Sequence, residues 1–300
     1  MRVFLTGATG QVGRAIAALL ADHGQQVAGS SRHSRKVPGL VEHVEACLGA
    51  EDAFDLIAKA LQPCEAIVHA AASLSHDNSD PSISLTNCLG TQQVIKLAHS
   101  WAASQLVYIS SLPIIGRPVQ HPITEDHPTQ PPTAYHASKL YGEHLMRLAE
   151  GNGCRAASLR LTSPSGPGTP GNRILSVFVG KAVAGEPLQI LGRGTRRQNY
   201  VDVRDVAAAV EACLTKRASG VYNIAAADSI SNYELAQTCI SELGSSASID
   251  FAGKPDPEEG TVWDVSVSKA GRDLGYRPQF AIRDSIRAVA QDQSGQETEL

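Results

Sequence analysis

Residues 6–13, TGATGQVG, place three glycines between a short apolar run and a helical stretch. At this position Gly7 can make a tight turn, and Gly10 lets the backbone approach a pyrophosphate. Gly13 allows the following helix to pack on a sheet. The free N–H groups at the start of that helix, and its dipole, favour an anion. The pattern therefore predicts a dinucleotide site. The predicted contacts of this loop are Gly7, Thr9, Gly10, Gln11 and Val12.

The chain past these glycines bears on the choice of dinucleotide. About 20 residues on, an NAD site usually has an acidic side chain at the end of the second strand. Here residues 29–32 read GSSR, and no acidic residue follows until Glu42. A carboxylate would repel a 2′-phosphate, whereas a small hydroxyl and a guanidinium would accept it. Ser31 and Arg32 therefore favour NADP(H), with NAD(H) as the alternative if the basic residues only form a solvated loop.

A second set of residues could transfer protons. Tyr135 and Lys139 are four residues apart, which puts them on one face of a helix. A nearby ammonium stabilises phenolate and lowers the pKa of a tyrosine from about 10 toward neutrality. Tyr135 is then a usable general acid or base. Upstream, Ser111 follows a short apolar run, which places its hydroxyl at the carboxyl edge of the predicted sheet, where ligands bind.

The elements that must position these residues are visible in the apolar pattern. Short apolar runs alternate with helical stretches, which indicates βαβ units and a parallel sheet covered on both faces. Right-handed crossovers then predict an α/β, doubly wound Rossmann fold. The predicted strands are 2–5, 26–30, 66–70, 106–110, 188–191 and 220–225. The predicted helices are 11–23, 52–61, 85–102, 174–184 and 203–214.

The pattern loosens after residue 161, where the Ser/Pro/Gly-rich residues 162–171 predict a loop. We expect a smaller C-terminal α/β substrate-binding subdomain beside the dinucleotide-binding domain. The predicted division is 1–161 with 200–226 for the dinucleotide, 162–199 with 227–292 for the substrate, and 293–300 as a flexible tail.

Composition excludes several classes of protein. The 300 residues are 42% hydrophobic and 19% charged, an ordinary globular balance. With 26 basic and 30 acidic side chains the net charge is −4, so neither nucleic acid nor an anionic membrane surface is an expected partner. No signal peptide or spanning run is recognisable. The six cysteines are scattered without a CxxC pair, which predicts buried thiols in a reducing cytoplasm and no metal site.

The chain resembles an extended short-chain dehydrogenase/reductase of the NAD-dependent epimerase/dehydratase family over nearly its whole length. The resemblance rests on motifs that follow one another in the family's order. They are the glycine loop, HAAA at 69–72, Asn87 with Gly90 and Thr91, Ser110 and Ser111, YHASK at 135–139, Arg160, YVDVRDV at 200–206 and GVYNI at 220–224.

The resemblance implies roles for individual residues. Tyr135 is the expected catalytic acid/base, Lys139 binds the nicotinamide ribose and tunes Tyr135, and Ser111 hydrogen-bonds the reacting oxygen. Further cofactor contacts are implied at Ala70 and Ala71. The implied substrate contacts are Ser73, Ser111, Arg197 and Gln198, the last two in the segment that holds a nucleotide-sugar diphosphate in the family.

One departure narrows the chemistry. Sugar 4,6-dehydratases of the family have an Asp-Glu pair directly after that hydroxyl, and its carboxylates move protons during water loss. This chain has Leu112 and Pro113 there, and neither can move a proton. Dehydration and decarboxylation are therefore disfavoured, and hydride transfer at one carbinol carbon remains.

Three functions stay open. The leading hypothesis is an NAD(P)-dependent oxidoreductase acting on a keto or hydroxyl carbon, most simply of a nucleotide-activated sugar. The alternative is a nucleotide-sugar C4-epimerase that retains NAD, and a third reading is a non-catalytic dinucleotide-binding protein. By resemblance we expect a homodimer formed through residues 85–102 and 135–150.

Overall fold

The computed structural model describes residues 1–33, 35–151 and 153–297. Seven strands form its central sheet. They are β1 (Arg2–Thr6), β2 (Gln26–Ser31), β3 (Leu40–Glu45), β4 (Ala66–His69), β5 (Gln105–Ser111), β6 (Arg155–Leu161) and β10 (Gly220–Ile224). Their order is β3-β2-β1-β4-β5-β6-β10, and every neighbouring pair is parallel. The order reverses between β1 and β4, which is the topological switch point of a doubly wound sheet.

Helices cover both faces of this sheet. The α-helices of the described chain, on this sheet and in the smaller unit, are α1 (Gln11–Asp22), α2 (Ala53–Ala60), α3 (Gly90–Ser100), α4 (Ala134–Ala149), α5 (Ile174–Ala184), α6 (Val203–Lys216), α7 (Asn232–Glu242), α8 (Ser268–Leu274) and α9 (Ile282–Glu297). In β1 the side chains of Val3 and Leu5 enter an apolar cluster with α1 and α6, whereas Phe4 enters a second cluster with α2, α3 and α4. Successive strand residues point to opposite faces, so a strand buried on both faces is apolar throughout.

A smaller unit follows from the second half of the chain. Its strands are β7 (Ser163–Ser165), β8 (Leu188–Ile190), β9 (Arg197–Asp202), β11 (Ser229–Ser231) and β12 (Ile249–Phe251). They form a β11-β9-β7 sheet and a β12-β8 pair. A third apolar cluster joins α5, α7 and α9 through residues such as Phe178, Leu235 and Ile286. This cluster lies in the region that we predict to form the substrate-binding subdomain.

The predicted α/β doubly wound fold is confirmed, with local differences. Strand β3 was not predicted, because Glu42 and Glu45 interrupt its apolar pattern at the exposed edge of the sheet, where it pairs with β2 alone. The predicted loop 162–171 contains β7, whose three residues pair with β9 despite Pro164. Such a short strand has no readable pattern of its own.

Two helices also differ from expectation. The predicted helix 85–102 is a π-helical turn (Ile83–Leu89) followed by α3. A π-helix has about one residue per turn more than an α-helix. Over only seven residues this difference is too small to be seen in the spacing of the apolar side chains. Helix α9 continues to Glu297, so the expected flexible tail from residue 293 is helical over residues 293–297. Residues 298–300 of that tail lie outside the described part of the chain.

Candidate active site

A cavity of about 400 Å³ lies at the carboxyl ends of the central strands, beside the switch point. This is where a doubly wound sheet binds its ligand. Every residue that we predict to contact the cofactor lines this cavity. They are Gly7, Thr9, Gly10, Gln11, Val12, Ser31, Arg32, Ala70, Ala71, Tyr135 and Lys139. Ser111 lines it as well. The structure therefore brings together residues that are more than 100 positions apart in sequence.

The glycine loop forms one wall because it leaves no room for side chains. Gly7 has φ +69°, and a Cβ there would lie 2.7 Å from the backbone nitrogen of Ala71. A Cβ on Gly13 would collide with the carbonyl oxygen of Gly7. Helix α1 begins beside this loop without a side-chain cap and without an acidic residue in its first turn. Its first N–H groups are therefore available to an anion, and the cradle fits a dinucleotide pyrophosphate.

The end of β2 forms the far wall, with Ser31 and Arg32. The Ser31 hydroxyl donates to the carbonyl oxygen of His33 at 2.9 Å and contacts Nε2 of His43 at 2.7 Å. Since its one proton is donated to His33, the His43 ring must donate to Ser31. The exposed Arg32 guanidinium is not paired with any group in the described residues. It is the cationic group at this end of the cavity.

Helix α4 carries Tyr135 and Lys139 in its first two turns. Thr133 caps the helix by accepting a hydrogen bond from the backbone of His136. The Lys139 ammonium donates to the carbonyl oxygen of Ile109 at 2.8 Å and lies 5.9 Å from the centre of the Tyr135 ring. Tyr135, Lys139 and Ser111 therefore line one cavity, with the lysine anchored to β5.

The electrostatics differ from the sequence-based expectation. Burial raises the pKa of Tyr135 to about 12, and the Arg173 charge and the Ser111 hydroxyl oppose that rise. Burial also lowers the pKa of Lys139 to about 7, which the Glu143 charge opposes. The expected lowering of the Tyr135 pKa toward neutrality by Lys139 is thus wrong for this state of the site, because desolvation of the phenolate dominates.

A buried hydrogen-bond chain links the glycine loop to the interior. Burial lowers the pKa of His69 to about 3, so its ring is neutral. Thr91 donates its proton to the carbonyl oxygen of Asn87 at 2.6 Å, so Nε2 of His69 must donate to Thr91, 2.9 Å away. Nδ1 of His69 then accepts from the Thr6 hydroxyl at 2.7 Å, which itself accepts from the Ala71 N–H.

Asn87 extends this hydrogen-bond chain to α4. Its side-chain oxygen accepts from the backbone of Ser73 at 2.7 Å, and its amide nitrogen donates to the Ser138 hydroxyl at 2.9 Å. Ser138 in turn donates to the carbonyl oxygen of Tyr135. The π-helical turn that holds Asn87 therefore ties the loop after β4 to the first turn of α4.

The predicted substrate contacts fall outside the cavity lining, apart from Ser111. The Ser73 hydroxyl bonds that of Ser82 at 2.7 Å. Arg197 pairs with Glu234 and donates to the carbonyl oxygen of Ser229. The side-chain oxygen of Gln198 accepts from Arg196. Hydrogen bonds inside the protein thus hold the predicted diphosphate contacts.

Sequence reasoning missed Arg173, which lines the cavity next to Pro170. Its guanidinium has no hydrogen bond or ion pair among the described residues, and its charge acts on the Tyr135 phenol. The sequence feature that could have pointed to Arg173 is its position between a Gly/Pro-rich segment and the start of α5, where it is the N-cap residue. The charged side chains of this lining, within the described ranges, are Arg32, Lys139 and Arg173, and none is a carboxylate.

The two residues after Ser111 open a 3₁₀ turn (Leu112–Ile115), and the Leu112 side chain is fully buried in an apolar cluster with Trp263. No group of three or more His, Cys, Asp or Glu side chains able to hold a metal occurs in the described residues.

This fold and cavity define a Rossmann-type protein whose Ser, Tyr and Lys side chains meet beside a dinucleotide cradle. The chain belongs to the NAD dependent epimerase/dehydratase family, since that family's model matches residues 3–225. The predicted family is thereby confirmed.

Similar proteins carry several activities. The chain is 28% identical to dTDP-6-deoxy-L-talose 4-dehydrogenase (NAD(P)(+)) of Kitasatospora kifunensis, over 98% of this chain and 96% of that protein. It is 26% identical to dTDP-glucose 4,6-dehydratase of Streptomyces niveus, over 77% and 70%. UDP-glucose 4-epimerase of Thermotoga maritima, solved with UDP-glucose, has the same fold, with a TM-score of 0.90 at 20% identity over 99% and 100%.

Proposed function

We propose that this protein is an NAD(P)-dependent oxidoreductase that interconverts a keto and a hydroxyl group on one carbon of a nucleotide-activated sugar. One observation carries the proposal: Ser111, Tyr135 and Lys139 line the same cavity as the glycine loop, and no carboxylate lines it within the described chain. A site without a carboxylate lacks the Asp-Glu pair that moves protons during water loss in the family's sugar 4,6-dehydratases. Hydride transfer needs only one proton donor.

The cradle would hold the cofactor by its phosphates. The N–H groups at the start of α1 would bind the pyrophosphate, and Lys139, which lines the same cavity, would bind the nicotinamide ribose. A bound nicotinamide supplies or accepts a hydride at the reacting carbon. The protein then has to transfer one proton and stabilise the negative charge that develops on the substrate oxygen.

Tyr135 transfers the proton. In the reductive direction its hydroxyl donates a proton to the carbonyl oxygen of the substrate, and in the oxidative direction the phenolate takes it back. The Ser111 hydroxyl donates a hydrogen bond to the same oxygen, which stabilises its developing negative charge. Because burial raises the pKa of Tyr135 to about 12, the cofactor-free site favours the protonated phenol. That form suits reduction of a carbonyl.

Arg173 supports an anionic substrate. It is an unpaired cation at the edge of the cavity, whereas Arg197 and Arg196 are paired with carboxylates. We therefore assign the diphosphate contact to Arg173 in place of Arg197 and Gln198. We place the rest of the substrate against the subdomain of residues 162–199 and 227–292.

The preferred cofactor is NADP(H). The supporting group is Arg32, a free guanidinium beside Ser31 at the end of β2. The similar Kitasatospora protein is named for both NAD and NADP, so NAD(H) remains the alternative.

A nucleotide-sugar C4-epimerase with retained NAD is the second candidate. The Thermotoga epimerase, similar over the whole chain, favours it. An epimerase would use the same three side chains and return the hydride to the opposite face of the sugar. It differs from the oxidoreductase in consuming no cofactor.

The deciding experiment starts with the purified protein. It is denatured, and any released nucleotide is identified by mass. An empty site that NADPH stabilises against heat more than NADH does supports the oxidoreductase. Stoichiometric NAD supports the epimerase. A protein that neither holds nor binds a dinucleotide contradicts both candidates.

Turnover is then measured with UDP- and dTDP-linked 4-keto sugars and deuterated NADPH. The oxidoreductase gives a product with one deuterium on the former carbonyl carbon. The epimerase interconverts UDP-glucose and UDP-galactose without loss of NADPH absorbance. Tyr135→Phe serves as the inactive control in both assays.

Assembly and location are further proposals. The π-helical turn and α4 present adjoining exposed apolar side chains, Leu85, Leu89, Tyr141 and Leu148. We place a homodimer interface there, tested by light scattering of Leu148→Glu, which should dissociate to monomer.

All six cysteines are unpaired, in line with the reducing cytoplasm. No helix in the described ranges is long and apolar enough to span a bilayer.

A further inference from the structure

Tyr108 lies below the candidate active site without lining it. Its ring is 1% exposed on β5, and both His69 and Lys139 lie near it. The ring centres of Tyr108 and His69 are 5.5 Å apart, and the Lys139 ammonium lies 4.8 Å from the centre of the Tyr108 ring. An ammonium at that distance from a buried aromatic face is within cation–π range.

The hydroxyl group of Tyr108 does not explain why this position carries a tyrosine. It is buried and makes no hydrogen bond of ordinary geometry in the described chain, although the Thr91 hydroxyl is near enough to lower the pKa of the phenol. An unsatisfied buried hydroxyl costs free energy, so a phenylalanine would be the cheaper residue if packing alone mattered. The part of Tyr108 that makes a specific contact is the ring face toward Lys139.

The neighbouring helix is shaped to admit this ring. Gly142 lies one turn after Lys139 on α4, and a Cβ there would collide with the Tyr108 hydroxyl and lie 2.7 Å from Cε1. Alanine would be favoured over glycine in a helix interior by about 1 kcal/mol. The glycine therefore gives up helix stability and leaves space for the ring under Lys139.

Few other groups can hold the charge of Lys139. The carbonyl oxygen of Ile109 accepts one of its three protons. Glu143 on the same helix raises the lysine pKa, but its carboxylate is already bound to Arg160. His69 on β4 is neutral, and Tyr135 on α4 is protonated at neutral pH, so neither supplies a negative charge.

We propose that Tyr108 is a positioning residue for the reaction: the face of its ring holds the Lys139 ammonium against β5, charged and in place for the cofactor ribose and Tyr135. The proposal rests on the function proposed above for Lys139. It assigns the effect to the π face of the ring and none of it to the hydroxyl.

The test measures the pKa of Lys139 directly, in the cofactor-free protein. The chain has eight lysines, so lysine labelled with ¹³C at Cε gives few resonances, and the Lys139 signal is the one lost in Lys139→Met. Loss of a buried cation–π contact should lower the lysine pKa by about one unit. We expect that fall in Tyr108→Leu and no fall in Tyr108→Phe.

A series of fluorinated phenylalanines at position 108 separates the effect of the ring charge from the effect of the cavity that Tyr108→Leu leaves. Phenylalanines with one, three and five ring fluorines at position 108 keep the shape but weaken, then reverse, the charge of the ring face. The Lys139 pKa should fall stepwise along this series. A pKa that is equal in all folded variants, or that falls as far in Tyr108→Phe as in Tyr108→Leu, overturns the proposal.

Activity separates this proposal from the proposed function. With a substrate in hand, the alkaline limb of kcat/KM should move to lower pH by about one unit in Tyr108→Leu and stay in place in Tyr108→Phe. A stepwise pKa shift in a protein that turns over no nucleotide sugar supports the role of Tyr108 and contradicts the proposed function alone.

Discussion

Arg160 and Glu143 form a bidentate ion pair inside the protein, with guanidinium nitrogens 2.9 and 3.0 Å from the two carboxylate oxygens. Both side chains are nearly inaccessible to solvent. The same carboxylate accepts from the Ser110 hydroxyl at 2.6 Å. This one pair therefore ties β6 to β5 and α4, the two elements that hold Ser111, Tyr135 and Lys139.

Glu143→Gln should destabilise the fold strongly. It leaves the Arg160 charge buried without a counter-ion, which costs about 3–5 kcal/mol. Urea unfolding measures this loss. The control is Glu186→Gln, which removes the exposed Lys181–Glu186 contact and should change stability by less than about 0.5 kcal/mol. Equal effects of the two changes would show that burial of the pair is unimportant.

Tyr135→Phe should abolish most turnover and leave dinucleotide binding intact. Loss of a general acid lowers kcat by about 100- to 10,000-fold. Steady-state kinetics and thermal stabilisation by NADPH give the two readouts. Tyr141→Phe, one and a half turns further along α4, is the matched control, since Tyr141 bonds Gln92 at the surface. If Tyr135→Phe keeps full activity, another group supplies the proton.

Arg32→Ala should weaken NADPH binding about 10- to 100-fold, the loss expected for one charge-assisted hydrogen bond. NADH binding should change little, because NADH has no 2′-phosphate. Binding is followed by nucleotide fluorescence. Arg35→Ala is the control, since Arg35 is exposed and does not line the cavity. A parallel loss of NADPH and NADH affinity would contradict the assignment of Arg32 to the 2′-phosphate.

His69 should make folding sensitive to acid. Its folded pKa, about 3, is below the ordinary value of 6.5, so the unfolded chain binds a proton that the folded protein does not. Stability is therefore complete above pH 6.5 and falls by about 1.4 kcal/mol per unit as pH decreases from there toward 3. Burial also lowers the pKa values of His43 and His136, so these two side chains add to this slope. The difference between the native chain and His69→Gln isolates the contribution of His69.

Much of the fold and site follows from local sequence. The glycine loop, the end of β2 and the Tyr135 helix were all predicted, because each is a short motif next to an apolar run. Their meeting in one cavity follows from the topology of a parallel sheet, whose strand ends lie at one edge. Strand β3 was missed because edge strands tolerate glutamates.

The substrate side could not be predicted in the same way. The segment with Arg197 and Gln198 has the arginines that a diphosphate requires, but Glu234, Glu258 and other carboxylates distant in sequence pair with them. Only tertiary structure decides which arginines of the cavity lining have no partner among the described residues, and here they are Arg32 and Arg173. The pKa of Tyr135 is likewise set by burial, which spacing alone does not reveal.

The hydrogen-bond chain through His69 begins at the backbone N–H of Ala71 and ends at the backbone carbonyl of Asn87. An amide N–H cannot accept and a carbonyl cannot donate, so the order of donors and acceptors between them cannot reverse. This hydrogen-bond chain therefore cannot relay a proton by a Grotthuss mechanism, although it contains a histidine and two hydroxyls. In the proposed reduction, this hydrogen-bond chain therefore cannot return a proton to Tyr135, and the proton has to come through Lys139 or from the open side of the cavity.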